Sequence, residues 1–293
     1  MELSTPRALL LAVAAIAVLS FMDVNIKALS ADVTTIQILF FRQAVAALIL
    51  GGLVLAKRSR FPTKAQLPGH FLRAMLVGAT AYSFFYAIGK LPLVLVTSVF
   101  MSAPLMVSLM GVIFLKEEVS KTLVFGTILG FAGAMVIVLG GGSDDIALSD
   151  DTFAWIATIF APAAYALGVV VMKNQTKQAD AIAITFLQAA FVGICVLPFV
   201  IFQFEIPNVE VGARLVGVGV LGAFGFLMFV SALKHLPASV FVLTENTALL
   251  WAALFGFIFF AEVPALTTWI GAFMIIVACL LAARKQVRRT PKR

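Results

Sequence analysis

Ten apolar runs, each about as long as a membrane is thick, follow one another along this chain with little between them. A helix rising 1.5 Å per residue needs about 20 residues to cross roughly 30 Å of hydrocarbon. The pattern predicts spans at 8–29, 35–56, 71–89, 92–114, 122–140, 152–172, 182–203, 212–232, 238–260 and 266–283. The joining loops reach about a dozen residues at most, too short to bury a core of their own. Composition agrees: 62% of residues are hydrophobic and 12% charged, where a soluble domain carries charge on roughly a quarter. The expected fold class is an all-α integral membrane protein with ten transmembrane helices.

The first span differs from a signal peptide because Asp23, Asn25 and Lys27 stand where a signal would be apolar. Cys195 and Cys279 both fall inside spans, which suggests neither a disulfide framework nor a thiol metal site. A net charge of +7 and the tail "RKQVRRTPKR" are explained by topology rather than by nucleic acid. If the N-terminus is inside, 17 of the 21 basic residues fall on the inner side. Only Lys27, Arg42, Lys90 and Arg214 remain for the spans and the outer side, where "SDDIALSDD" adds acid. Positive residues collect on the cytoplasmic face, so both termini are expected there.

The chain also repeats itself. "AIGKLP" at 87–92 returns as "ALKHLP" at 232–237, and a shift of 145 residues aligns Phe114 with Phe259, Glu117 with Glu262 and Gly126 with Gly271. Upstream, "LFFRQA" (39–44) answers "TFLQAA" (185–190). Each copy holds five spans, giving expected units of 1–146 and 147–293, the second ending in the basic cytoplasmic tail. Five is odd, so the second copy enters the membrane from the opposite side. Two inverted repeats around a central cavity are a recurring device of secondary transporters, because exchanging two packings between the halves opens the cavity to alternate sides. No span shows the polar stripe of a water-filled pore, which favours a transporter over a channel.

The segment "APLMVSLMGVIFLKEEVSKTLVFGTILGFAGAMVIVLGG" (103–141) resembles the Ala-Pro, Glu-Glu, Gly-xxx-Gly pattern that closes each half of EamA-type members of the drug/metabolite transporter superfamily. In the second copy Leu249 stands opposite Pro104 and Ile275 opposite Gly130, a departure from that pattern. Within the superfamily the chain is most similar in character to bacterial inner-membrane exporters of aromatic and other neutral amino acids. The resemblance implies secondary export of such metabolites by alternating access. Export of cationic drugs or other metabolites of the superfamily is the alternative. A membrane enzyme is a third reading with less support: there is no His-Glu-x-x-His metal site and no G-x-x-x-x-G-K phosphate loop. No cofactor is expected. The expected partners are a small-molecule substrate and the lipid bilayer, without nucleic acid, and the chain itself is expected to be a monomer.

Polar groups in hydrocarbon point to the pathway, since a charge at the bilayer centre costs about 2.5–3.5 kcal/mol or more unless partnered. Asp23 and Arg42 both lie roughly 10 Å below the outer face at the helical rise, so they are expected to pair, as a packing device or for coupling or gating. Lys27 is expected to snorkel outward. Glu245 and Asn246 interrupt the ninth span, and their repeat-mates are Phe100 and Met101. All four are expected near the central cavity, with Glu245 preferred over Asp23 for any proton-coupled step. Tyr82 and Tyr86 share one face of the third span, Tyr165 lies mid-depth in the sixth, and Trp251 lies mid-membrane. These rings either line a site for a flat, neutral substrate or pack the core. Thr97, with Ser98 and Ser102, adds a mildly polar face to the fourth span. Pro104, Pro162 and Pro198 are either hinges or tolerated kinks. The Gly126-xxx-Gly130 pair is expected to let helices approach closely, and Glu117 and Glu262 to cap or pair at helix ends.

Overall fold

The computed structural model describes residues 5–103, 105, 106, 110, 121–140, 151–172, 179–233 and 247–287. Within them the chain forms ten α-helices and one 3-10 turn, and no strand. They are α1 (Thr5–Leu29), α2 (Thr35–Lys57), α3 (Leu67–Lys90), α4 (Leu93–Phe100), α5 (Lys121–Gly140), α6 (Thr152–Met172), α7 (Ala181–Phe202), α8 (Val209–Leu233), α9 (Thr247–Phe260) and α10 (Leu266–Val287). Each lies on one of the predicted spans. Among the described residues, five stretches are long and apolar enough to cross a membrane: Arg7–Leu29, Thr35–Lys57, Lys64–Lys90, Ile182–Phe202 and Val209–Phe229.

Local chemistry explains where several helices begin and end. A capping box between Thr63 and Gln66 leads into α3, whose first turn holds a proline that needs no backbone donor there. Asp151 Oδ1 accepts from the backbone N–H of Phe153 at 2.9 Å and starts α6; Asn208 Oδ1 does the same for α8 through Val211, at 2.8 Å. α2 ends where Arg58 turns left-handed, at φ 47°. α9 ends at Ala261, at φ 53°. Pro162 and Pro198 sit inside α6 and α7.

The bundle carries its apolar surface on the outside as well as within. Leu48, Leu55, Ile194, Ile201 and Phe273 are all exposed, as expected of helices that meet lipid rather than water. Inside, Ile26, Leu29, Ile88, Leu91, Leu93 and Leu95 are fully buried where α1, α3 and α4 converge.

Helices from the two halves of the chain interleave. α2 packs on α7, α4 on α9 and α5 on α10, while α1 packs on α8 and α3 on α6. Adding five to every label, and counting on from α10 back to α1, returns the same set of pairs. The α5–α10 contact is the tightest: a Cβ at Gly133 would lie 2.7 Å from the backbone oxygen of Gly271, and one at Gly271 would strike the oxygen of Gly133. The close approach expected at Gly126 and Gly130 is therefore centred one turn further on, at Gly133. There the α10 backbone arrives, whereas Gly130 faces Leu105 and Ala278.

Candidate functional site

Aromatic side chains gather in two groups around α3. Tyr82 and Tyr86 of α3 stack with ring centroids 6.2 Å apart, and Tyr86 meets Phe153 of α6 edge-on at 4.9 Å. Phe84 of α3 meets Phe100 of α4 edge-on at 5.2 Å, and Phe100 meets Tyr165 of α6 at 5.5 Å. Of the predicted residues, Tyr82 and Tyr86 thus belong to one group and Phe100 and Tyr165 to the other. Thr97 and Met101 flank Phe100 on its segment, both buried. Tyr82 and Tyr86 are one turn apart and share a face of α3, whereas Phe84, two residues from each, lies on a different face and meets the last residue of α4.

Trp251 belongs elsewhere. Its ring stacks on Phe255 at 5.7 Å, and Phe255 in turn meets Phe21 of α1 at 5.9 Å. The Trp251 indole N–H is buried with no hydrogen-bond partner. This third aromatic group joins α1 to α9, and its Phe21 is 38% exposed. Pro104, Glu245 and Asn246 lie outside the described residues.

Asp23 and Arg42 interact electrostatically, but no ion pair joins them. The Arg42 guanidinium instead lies between two rings, with its carbon 5.4 Å from the centroid of Phe85 and 5.3 Å from that of Phe226. The side chain is 5% exposed and its Nε has no hydrogen-bond partner. The expected direct pair is thus a looser one, because α3 and α8 supply rings that occupy the faces of the guanidinium.

Lys27 departs further from expectation. It turns inward and forms an ion pair with Glu262 at 2.9 Å. Its Nζ also donates to the carbonyl oxygens of Ile88 at 3.0 Å and Leu91 at 2.6 Å, and lies over the ring of Phe260. The second Glu262 oxygen accepts from the backbone N–H of Leu93 at 2.8 Å. A Cβ at Gly256 would lie 2.9 Å from that same oxygen, so only glycine leaves the carboxylate room. One clasp therefore ties the end of α1 and the α3–α4 junction to the end of α9. Each partner is conspicuous in the sequence, Lys27 in a span and Glu262 in the repeat. Their meeting is not, since 235 positions separate them.

Two further contacts bind the halves at this end of the bundle. The Tyr86 hydroxyl donates to Asp151 Oδ2 at 2.6 Å, and Gln37 exchanges two hydrogen bonds with the backbone of Glu205. The Tyr86 bond, helped by the N–H groups of Ala154 and Phe153, holds the Asp151 carboxyl below the usual carboxylate range. Tyr86 is thereby a helix-end tie as well as a ring partner of Tyr82 and Phe153. Among the described residues no group of His, Cys, Asp and Glu could hold a metal ion.

Comparison with known proteins agrees in scale and in kind. The sequence profile of the EamA-like transporter family matches twice, over residues 6–139 and 152–284. The chain is 24% identical over 276 residues to the pseudopaline exporter CntI of Pseudomonas aeruginosa, covering 94% of this chain and 95% of that one. It is 26% identical to a riboflavin transporter of Brucella anthropi, over 85% and 88% of the two chains. It is 22% identical to an S-adenosylmethionine uptake transporter of Rickettsia bellii, over 92% and 91%. One crystal structure of 16% identity superimposes with a TM-score of 0.66 over 97% of this chain and 99% of the other, a likeness of fold.

Proposed function

The chain belongs to the EamA-like transporter family, and from that membership we propose that it is a secondary transporter exporting small neutral or aromatic amino acids and related metabolites across the bacterial inner membrane. Members of the family are transporters, so the protein is a carrier of small molecules rather than an enzyme. The printed names of its relatives span pseudopaline, riboflavin and S-adenosylmethionine, so the choice among substrates rests on this chain's own residues.

The observation that carries the choice is the pair of aromatic groups around α3, Tyr82 with Tyr86 and Phe84 with Phe100 and Tyr165. Flat rings with hydroxyl tips suit a planar, partly apolar solute that arrives with few charges. Trp251, stacked on Phe255, adds a ring whose indole N–H is buried without a partner. The reading places the substrate between these groups, with both termini in the cytoplasm and the Lys27–Glu262 end outside. The helix pairing is unchanged when every label is advanced by five, as it would be for two exchanged five-helix units, and this supports the reading of alternating access.

The test is uptake into liposomes holding the purified protein, with labelled phenylalanine, tryptophan, threonine and a cationic dye, with and without a pH gradient. Saturable amino-acid flux that falls at least tenfold in Tyr82→Ala or Trp251→Ala is the expected result. Saturable flux of the dye alone would replace the amino-acid reading with that of a cation exporter.

A further inference from the structure

We propose that Arg42 is the binding site for the carboxylate of the transported solute, which narrows the substrate class to carboxylic acids; this rests on the proposed transport of amino-acid-like metabolites. The starting point is an imbalance. A guanidinium carries five N–H donors in a planar fork, never loses its charge, and fits a carboxylate through two parallel bonds. Arg42 is 5% exposed, its Nε is buried without a hydrogen-bond partner, and no described carboxylate forms an ion pair with it. Asp23, its electrostatic neighbour, stays outside ion-pair reach. Burying a cation with open donors is costly, and within a membrane such a residue marks a pathway or a ligand site.

The surroundings are built to keep those donors available. Phe85 and Phe226 hold their rings 5.4 and 5.3 Å from the guanidinium carbon and offer it no oxygen acceptor. Arg42 lines a pocket between α2, α7 and α8 together with Gln43, Thr185, Gln188, Gly222 and Phe226. The side-chain nitrogen of Gln43 is likewise buried without a partner, which adds a neutral donor beside the charged one. Gly222 makes the room: a Cβ there would lie 3.2 Å from Arg42 Nε and 3.3 Å from the sulfur of Met22. The free volume of the pocket is ≈ 10 Å³, about enough for one water. A carboxylate is the small, flat, double acceptor that replaces such a water while meeting the donors. Asp23, outside ion-pair reach, does not fill the site.

The test needs no transport. The detergent-purified full-length chain is heated with 3-phenylpropionate or with 3-phenylpropionamide, which keeps the ring and shape but lacks the charge. Wild type is expected to be protected by the acid at concentrations roughly 10–100-fold below those of the amide, the ratio of a charge-assisted bidentate pair. Arg42→Gln is expected to erase the difference. Because that variant also alters a packed site, Gly222→Ala serves as a second probe that keeps the charge and crowds its Nε. It is expected to weaken protection by the acid and leave protection by the amide unchanged. Equal protection by acid and amide in wild type, or a preference for the acid that survives both substitutions, overturns the assignment. Acid-selective protection with no amino-acid flux in liposomes would sink the transport reading and leave the carboxylate site standing. Phenylalanine flux that keeps its preference over phenylalaninamide in Arg42→Gln would do the reverse.

Discussion

Lys27 and Arg42 are both enclosed cations, and the fold treats them in opposite ways. Lys27 has an acid at 2.9 Å, two carbonyl oxygens and a ring. Arg42 has two rings, a distant acid and a buried nitrogen with nothing to bond. A buried charge whose every direction is answered belongs to the architecture, because any new ligand must first break what is there. One whose donors are left open is held ready for something that comes and goes. The contrast also divides the molecule: the clasp lies at the ends of α1, α3 and α9, while the open site lies between α1, α2, α3, α7 and α8.

The largest expected effect breaks the clasp. Glu262→Ala leaves Lys27 without its counter-charge and Leu93 without its acceptor. Loss of one member of a buried pair costs about 3 kcal/mol or more, to be read as a lower midpoint in detergent unfolding. Replacing both partners together, as Lys27→Met with Glu262→Leu, is expected to recover most of that loss, since apolar groups of similar volume leave no charge stranded. A double variant as weak as the single one would show that the clasp matters through its backbone bonds instead.

Arg42→Gln sharpens the comparison from the other side. It removes a charge that no described group satisfies, so stability is expected to change by less than about 1 kcal/mol in the same unfolding assay. A fall as deep as that of Glu262→Ala would make Arg42 a structural residue. Smaller again is Ala261→Gly. Ala261 holds φ 53°, where a Cβ costs roughly 1–2 kcal/mol that glycine avoids. Part of that gain is offset by the freer unfolded chain, so a rise of about 0.5 kcal/mol is expected, provided the turn keeps Glu262 on Lys27.

The smallest effect is at Asp151, whose carboxyl is exposed. Its titration is held below the usual carboxylate range, first by the Tyr86 hydroxyl. A depressed carboxyl stabilises the fold above its unfolded value and stops doing so as pH falls through the folded one. Tyr86→Phe is therefore expected to lower stability by the same small amount from about pH 5 to 8 and to converge with wild type as pH falls below 3.8, the ordinary value. A deficit that persists undiminished into the acid limb would mean that Tyr86 acts through its ring contacts rather than through Asp151.

Much of this was legible in the residues. Every described helix lies on a predicted span, because desaturating the backbone's hydrogen bonds in hydrocarbon is so costly that an apolar run of this length has helix as its only open form. The aromatic groups were legible in part: Tyr82 and Tyr86 share a face by helical spacing, whereas the meeting of Phe84 with Phe100 depends on how α3 meets α4. The direction of Lys27 was misjudged for a similar reason. A lysine near a helix end has water within reach, and nothing local reveals that a carboxylate on α9 will be nearer.

By itself, the sequence determined the all-helical class, the order of the described helices along the chain and its membership of a transporter family whose profile matches it twice. These depend on hydropathy and on residues near one another along the chain. Only the tertiary structure decided which charge is answered and which is left open, that Phe85 and Phe226 would enclose Arg42, and that Gly133 and Gly271 would meet backbone to backbone. The physical reason is range. Burial in hydrocarbon acts on each run of residues alone, whereas a hydrogen bond or an ion pair needs atoms within about 3–4 Å, a condition met only once helices from opposite halves have packed.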